Sequence, residues 1–156
     1  MLGKKTVDSK NAPKAIGPYS QALIVGDMVY LSAQLGLDPK TQEFVSDDVI
    51  AQAKQVFENI RILLEESGTS LRHVIKVEVF LTDMNVFPAI SDLYGQVFNS
   101  PNPPVRQTIE VNALPKWAKI MISCTAYIKT EQGTPIQIPP TFNNEDAGQK
   151  LANSFL

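Results

Sequence analysis

The stretch Asp47-Asp48-Val49-Ile50-Ala51-Gln52-Ala53-Lys54-Gln55-Val56-Phe57-Glu58-Asn59-Ile60-Arg61-Ile62-Leu63-Leu64-Glu65-Glu66 decides the architecture. Val49, Ile50, Ala53, Val56, Phe57, Ile60, Leu63 and Leu64 recur at three- and four-residue spacing, which gives a helix one apolar stripe. Ser46 is placed to cap its start, Asp47 and Asp48 complement the dipole there, and Gly68 can close its end. Glu65 and Glu66 sit at the unfavourable end of that dipole, a small cost. From His73 to Leu81 the period changes to two. Ile75, Val77, Val79 and Leu81 point one way, Lys76 and Glu78 the other, as in a strand with one apolar face.

Upstream, Ile16-Gly17-Pro18 ends a polar segment with a turn signal. Ala22–Val25 and Met28–Leu31 are apolar runs joined by Gly26-Asp27, the pattern of a β-hairpin. Gly36 and Asp38-Pro39-Lys40-Thr41 mark a second turn. Downstream, the spacing predicts a helix from about Val86 to Phe98, capped by Asn85, with Pro88 tolerable in its first turn. A strand follows over Arg106–Val111. Ala113-Leu114-Pro115-Lys116 then links into a long strand, Trp117–Ile128, whose Ile120, Ile122, Cys124, Ala126 and Ile128 share a face. The order β-β-α-β-α-β-β describes one α+β domain with both helices on one sheet face. The other face carries Val74, Phe80, Met121 and Tyr127, too much apolar surface to leave wet, so it is expected to lie between subunits. Residues 129–156 turn polar and rich in Pro and Asn and read as a tail with a few apolar anchors.

The totals agree with one domain. A chain of 156 residues buries about two-thirds of its unfolded surface. A net charge of −2 leaves no basic surface that would suggest nucleic acid. Apolar runs are only a few residues long, so nothing is expected to span a membrane, and Met1–Lys5 lacks the apolar core of a secretory signal. One cysteine, Cys124, and one histidine, His73, provide neither an internal disulfide nor a metal cluster. No metal and no cofactor are expected, and a reducing, cytoplasmic setting is the default.

Arg106 stands out by its approach. Asn102-Pro103-Pro104-Val105 precedes it, and two prolines fix φ and remove two donors, so the chain reaches Arg106 with little freedom. A guanidinium delivered this way can grip a carboxylate with two parallel bonds. The alternative is an ordinary surface ion pair.

Three landmarks, Ala15-Ile16-Gly17-Pro18-Tyr19-Ser20-Gln21-Ala22, Tyr30-Leu31-Ser32-Ala33-Gln34-Leu35-Gly36, and Pro104-Val105-Arg106 followed by Leu114-Pro115-Lys116, occur in order. Through them residues 6–128 resemble the RidA/YjgF family, also labelled L-PSP endoribonucleases or translation inhibitors. The resemblance implies a chorismate-mutase-like (ferredoxin-like) six-stranded mixed sheet in residues 1–128, forming a homotrimeric barrel with ligand clefts between subunits. It also implies hydrolysis of reactive 2-imino and 2-enamino acids, such as 2-aminoacrylate, to 2-keto acids and ammonia. Arg106 matches the family's carboxylate clamp and Tyr19 its site tyrosine, whose hydroxyl can hold a water or the substrate nitrogen. Backbone groups of Ala33 and Thr108 match cleft positions, Phe87 an aromatic wall, and Ser32 and Ser91 complete the binding set.

The chain departs from the family's pattern at Met121, where a glutamate is usual; at Thr108, often cysteine; at Ser91, usually asparagine; and at Ala33, usually glycine. A thioether neither holds a water nor accepts a proton well. Three function classes therefore stand side by side: an imine deaminase, a trimeric protein that binds or senses small keto or amino acids, and an RNA-cleaving translation inhibitor. The last has neither a histidine pair nor a basic patch behind it.

Overall fold

The computed structural model describes residues 3–129, so the expected tail lies outside the described residues but for Lys129. Six strands, β1 (Lys4–Val7), β2 (Ala22–Val25), β3 (Met28–Leu35), β4 (Val74–Leu81), β5 (Val105–Glu110) and β6 (Ile120–Tyr127), form one sheet in the order β1-β2-β3-β6-β4-β5. Only the β4–β5 pair is parallel, so the sheet is mixed. Helix α1 (Val49–Glu66) and helix α2 (Phe87–Val97) are the two helices among the described residues.

Helix α1 buries its predicted stripe. Ala53, Val56, Phe57, Ile60, Leu63 and Leu64 are sealed against Val29, Leu31, Val77, Val79, Ile120, Ile122 and Cys124 of the sheet. Its cap differs from the expectation. Asp48, not Ser46, takes the extended cap conformation and accepts from Ala51 N at 2.7 Å, while Ser46 Oγ accepts from Asp48 N. The charged side chain sits two residues nearer the helix, where a carboxylate complements the dipole. Gly68 ends the helix with φ 82, the left-handed conformation a glycine adopts without penalty.

Two amides inside this interface fix α1 to the end of β3. Asn59, fully buried, donates to Leu35 O at 3.1 Å and Leu37 O at 3.0 Å and accepts from Gln55. Gln52 donates to Ser46 O and accepts from Lys119 N. Between them Gly36 lets the backbones meet: a Cβ there would stand 2.7 Å from Gln52 Cα, a distance no alanine can occupy without displacing the helix.

Several expectations need correction. β1 was not foreseen. It is an edge strand in which only Val7 is buried, and its two lysines are typical of edges. The strand expected over Trp117–Ile128 begins at Ile120; Pro115–Trp117 forms a 3-10 turn, with Lys116 at φ 55 and Trp117 at φ 60. Helix α2 starts at Phe87 rather than Val86. Asn85 does not cap it, because Asp83 caps the preceding turn by accepting from Asn85 N and Nδ2.

The assigned face of β4 also changes at one position. Val74 pairs with Ala126 and Lys76 with Thr125, so Ile75 is the extra residue of a bulge. Val74 is consequently buried in the core and Ile75 lies exposed. On the sheet face away from the helices, Phe80, Met121 and Tyr127 lie as expected, and Phe80 and Met121 pack against a second small cluster of Leu35, Leu37, Leu114 and Ala118. Among the described residues no helix is long and apolar enough to cross a membrane.

Candidate functional site

The edge strand β5 delivers Arg106. Its Cα partner in β4 is Val77, and Val79 is paired with Thr108. Both valines are buried beneath the helices, so Arg106 and Thr108 belong to the helix-covered face. The guanidinium carbon lies 4.7 Å from the ring centroid of Tyr94 and 5.2 Å from that of Phe87, and Nη1 donates to Ser91 Oγ at 3.2 Å. Phe87, Ser91 and Tyr94 are spaced i, i+4, i+7, one face of α2. Two aromatic faces steady the cation and a hydroxyl takes one prong.

Among the described residues the ion pairs join Arg61 to Glu58 and Glu65, Lys76 to Glu78, and Lys116 to Glu43. The Arg106 fork therefore has no carboxylate partner there. An oriented cation with open donors is an anion grip, and it fronts a cavity of about 520 Å³ lined also by Ser91, Tyr94, Pro103 and Pro104. Among the described residues the surface-ion-pair alternative finds no partner for it. The sequence reading missed Tyr94, although its place three residues after Ser91 was a usable signal. Burial raises the Tyr94 phenol pKa above its usual value, so it is a neutral platform.

Tyr19, Ser32, Ala33 and Met121 meet elsewhere. They line a cavity of about 240 Å³ with Ile16, Leu35 and Pro115, three residues the sequence reading did not single out. Tyr19 Oη accepts from Ile16 N at 3.1 Å and keeps its own proton to donate. The segment carrying it is tied down by buried Gln21, which accepts from Ser9 N and donates to Ser9 O and Pro13 O. Leu31 pairs with Cys124 and Gln34 with Ile122, so Ser32 and Ala33 hold one residue more than β6 does opposite. That bulge lifts backbone groups out of the ladder at the cavity wall. Two of its polar groups are engaged: Ser32 O accepts from Gln34 Nε2, and Ser32 Oγ donates to Ser20 O at 2.6 Å.

The two cavities share no lining residue. β3 and β5 are three strand spacings apart in the sheet order, about 14 Å, and Arg106 and Met121 lie on opposite faces. Within one chain the structure thus groups Arg106, Ser91 and Phe87 with Thr108 on their face, and separately Tyr19, Ser32, Ala33 and Met121.

Other chemistry-bearing residues line neither cavity. Glu78 accepts from Lys76 Nζ, Gln107 Nε2 and Ser123 Oγ, and its carboxyl is held below the usual range, first by Lys76 and then by Ser123. Cys124 is buried and its thiol is pushed up to about 12 by that burial, as an inert core residue requires. His73 sits beside Thr69 and Ser70 hydroxyls and against the Tyr127 ring.

Comparison with known proteins identifies the family. The family model described as Endoribonuclease L-PSP matches residues 9–128. The chain is 45% identical over 127 residues to Protein DfrA of Myxococcus xanthus, covering 80% of this chain and 96% of that one. It is 40% identical over 129 residues to the 2-iminobutanoate/2-iminopropanoate deaminase of Dermatophagoides farinae, covering 83% of this chain and 100% of the other. The crystal structure of RidA from the Antarctic bacterium Psychrobacter sp. PAMC 21119 superposes with a TM-score of 0.76 at 42% identity, covering 80% of this chain and 99% of that one. The YjgF gene product of E. coli gives 0.75 at 38%, with the same coverage.

Proposed function

Since the chain belongs to the RidA/YjgF family, whose model carries the description Endoribonuclease L-PSP, we propose that it hydrolyses 2-imino acids to 2-keto acids and ammonia in clefts between copies of itself. The observation that carries this reading is the Arg106 fork, steadied over Tyr94 and Phe87 and left without a carboxylate among the described residues. Its natural complement is a small organic acid.

The reaction needs little more than positioning. A protonated imine, R–C(=NH₂⁺)–COO⁻, takes up one water: the water oxygen bonds to the imine carbon, one of its protons passes to nitrogen, the C–N bond breaks as the second proton follows, and ammonium leaves the keto acid. Arg106 holds the carboxylate and thereby fixes the plane of the C=N bond, and such orientation can supply much of the rate. The Tyr19 hydroxyl, with its proton free to donate, and backbone groups at Ala33 and Thr108 hold the water and the nitrogen. Because Arg106 and the Tyr19 group occupy opposite sheet faces, one ligand reaches both only if a second copy supplies one of them. A homotrimer that lays the β5 edge of one subunit against the Tyr19 cavity of the next meets that need, and it covers Val105, Ile109, Tyr30 and Tyr127, which one copy leaves exposed.

An endoribonuclease reading has less to work with. The chain's one histidine, His73, is turned to Thr69, Ser70 and Tyr127. Loss of turnover with retained binding has one observation in its favour, the thioether of Met121 where the resemblance implies a carboxylate. Adding the protein to a serine dehydratase reaction separates these. Faster pyruvate release from 2-aminoacrylate supports the hydrolase; no acceleration, with keto acid still bound, transfers the role to binding.

A further inference from the structure

Among the described residues, no charged side chain lines the cavity around Met121. Ile16, Ala33, Leu35, Pro115 and Met121 line it with the Tyr19 ring, while Ser32 Oγ is already donating to Ser20 O. Met121 is set between Leu35 of β3 and Phe80 of β4, its cross-strand partners, and belongs to the apolar cluster at that end of the sheet. At about 240 Å³ the space far exceeds a methyl group, which is near the roughly 30 Å³ share of one water.

We propose that this cavity receives the substrate's side chain, that it selects imino acids with bulky aliphatic groups, and that Met121 sets the selection; the inference rests on the imine-hydrolase reading above. A polar side chain entering here would give up water and meet only the Tyr19 hydroxyl and the backbone at Ala33, which the reacting water and nitrogen already engage. A methyl would leave most of the lining without contacts. Each added methylene that becomes buried is worth about a four-fold gain, so a leucine-derived imine, three carbons larger than an alanine-derived one, should be favoured by tens of fold. The same thioether that removes a carboxylate from the cleft thus acts as an apolar floor. Met121 is a specificity residue, flexible enough to close around branched or straight chains.

D-amino acid oxidase acting on D-leucine or D-alanine generates the two imines, which no longer carry the stereocentre, and semicarbazide trapping reads their lifetime. The expected result is a kcat/KM at least ten-fold higher for the leucine-derived imine. Met121→Gln should bring the ratio near one, and Met121→Leu should restore it. Equal or faster turnover of the alanine-derived imine by the wild-type protein overturns the proposal, as does a ratio unmoved by Met121→Gln. If neither imine is hydrolysed, the hydrolase reading itself falls. Calorimetric titration with 4-methyl-2-oxopentanoate against pyruvate then judges the pocket alone: ten-fold tighter binding of the larger acid sustains it, and equal affinity removes it.

Discussion

The two cavities differ in nearly every physical respect. One is fronted by a cation laid over two rings on the helix-covered face; the other is an apolar recess beside a strand bulge on the open face. The first offers charge and direction, the second offers volume. Recognition of a small amphiphilic acid needs both, and the fold assigns them to opposite sides of a single sheet. On the proposed reading, the contrast teaches that a chain can carry all the parts of a site and still complete none alone.

The largest effect expected from disturbing this division is at Arg106. Arg106→Ala should lower imine hydrolysis by about 100-fold or more, because orientation and charge are lost together, while the circular dichroism spectrum stays unchanged. Arg106→Lys should recover little, since an ammonium cannot form the planar two-pronged pair; recovery to wild-type rates would mean that charge alone suffices.

A second experiment strikes at the split itself. Arg106→Ala subunits lack the grip, and Ala33→Phe subunits lack the recess. Refolded together in equal amounts, they should regain about a quarter of the wild-type sites, those in which an intact Arg106 faces an intact recess on the next subunit. A mixture as inactive as its parents would show that each chain works alone.

Removing the buried amide of Asn59 should cost about 2–3 kcal/mol, since Asn59→Ala strands two carbonyls that water cannot reach; denaturant melting reads this as a lower midpoint with an unchanged slope. The apolar cavity should suffer more than the Arg106 side, because those carbonyls belong to Leu35 and Leu37. Smallest of all, Tyr94→Leu should weaken keto-acid binding a few-fold by removing one cation–π face, and an effect as large as that of Arg106→Ala would give Tyr94 a direct role.

Much of this was legible from local patterns. The α1 stripe, the Gly26-Asp27 hairpin and the proline-led approach to Arg106 each rest on neighbours within a few residues, and the structure bears out all three. Cross-strand relations were not legible. Nothing around Ile75 announces a bulge, because the extra residue exists only relative to β6, and so Val74 was assigned to the wrong face. Trp117 looked like a strand residue because its apolar ring fits one; its left-handed backbone follows from the turn that Lys116 anchors by donating to Gln42 O. For the candidate site, most members were named from motifs, but their separation into two groups depends on sheet order and face.

The doubled residue at Ser32-Ala33 bears on how this chain can vary over time. Before it, Val29 and Leu31 face the helices; after it, Gln34 takes that side and Leu35 turns to the other. Altering letters here changes only a wall, whereas deleting one letter would leave a single residue between Leu31 and Gln34, keep the glutamine and the leucine on their present faces, and flatten the bulge that forms the wall. Descendants of this sequence should therefore be permissive about spelling along the recess and intolerant of any change in its length.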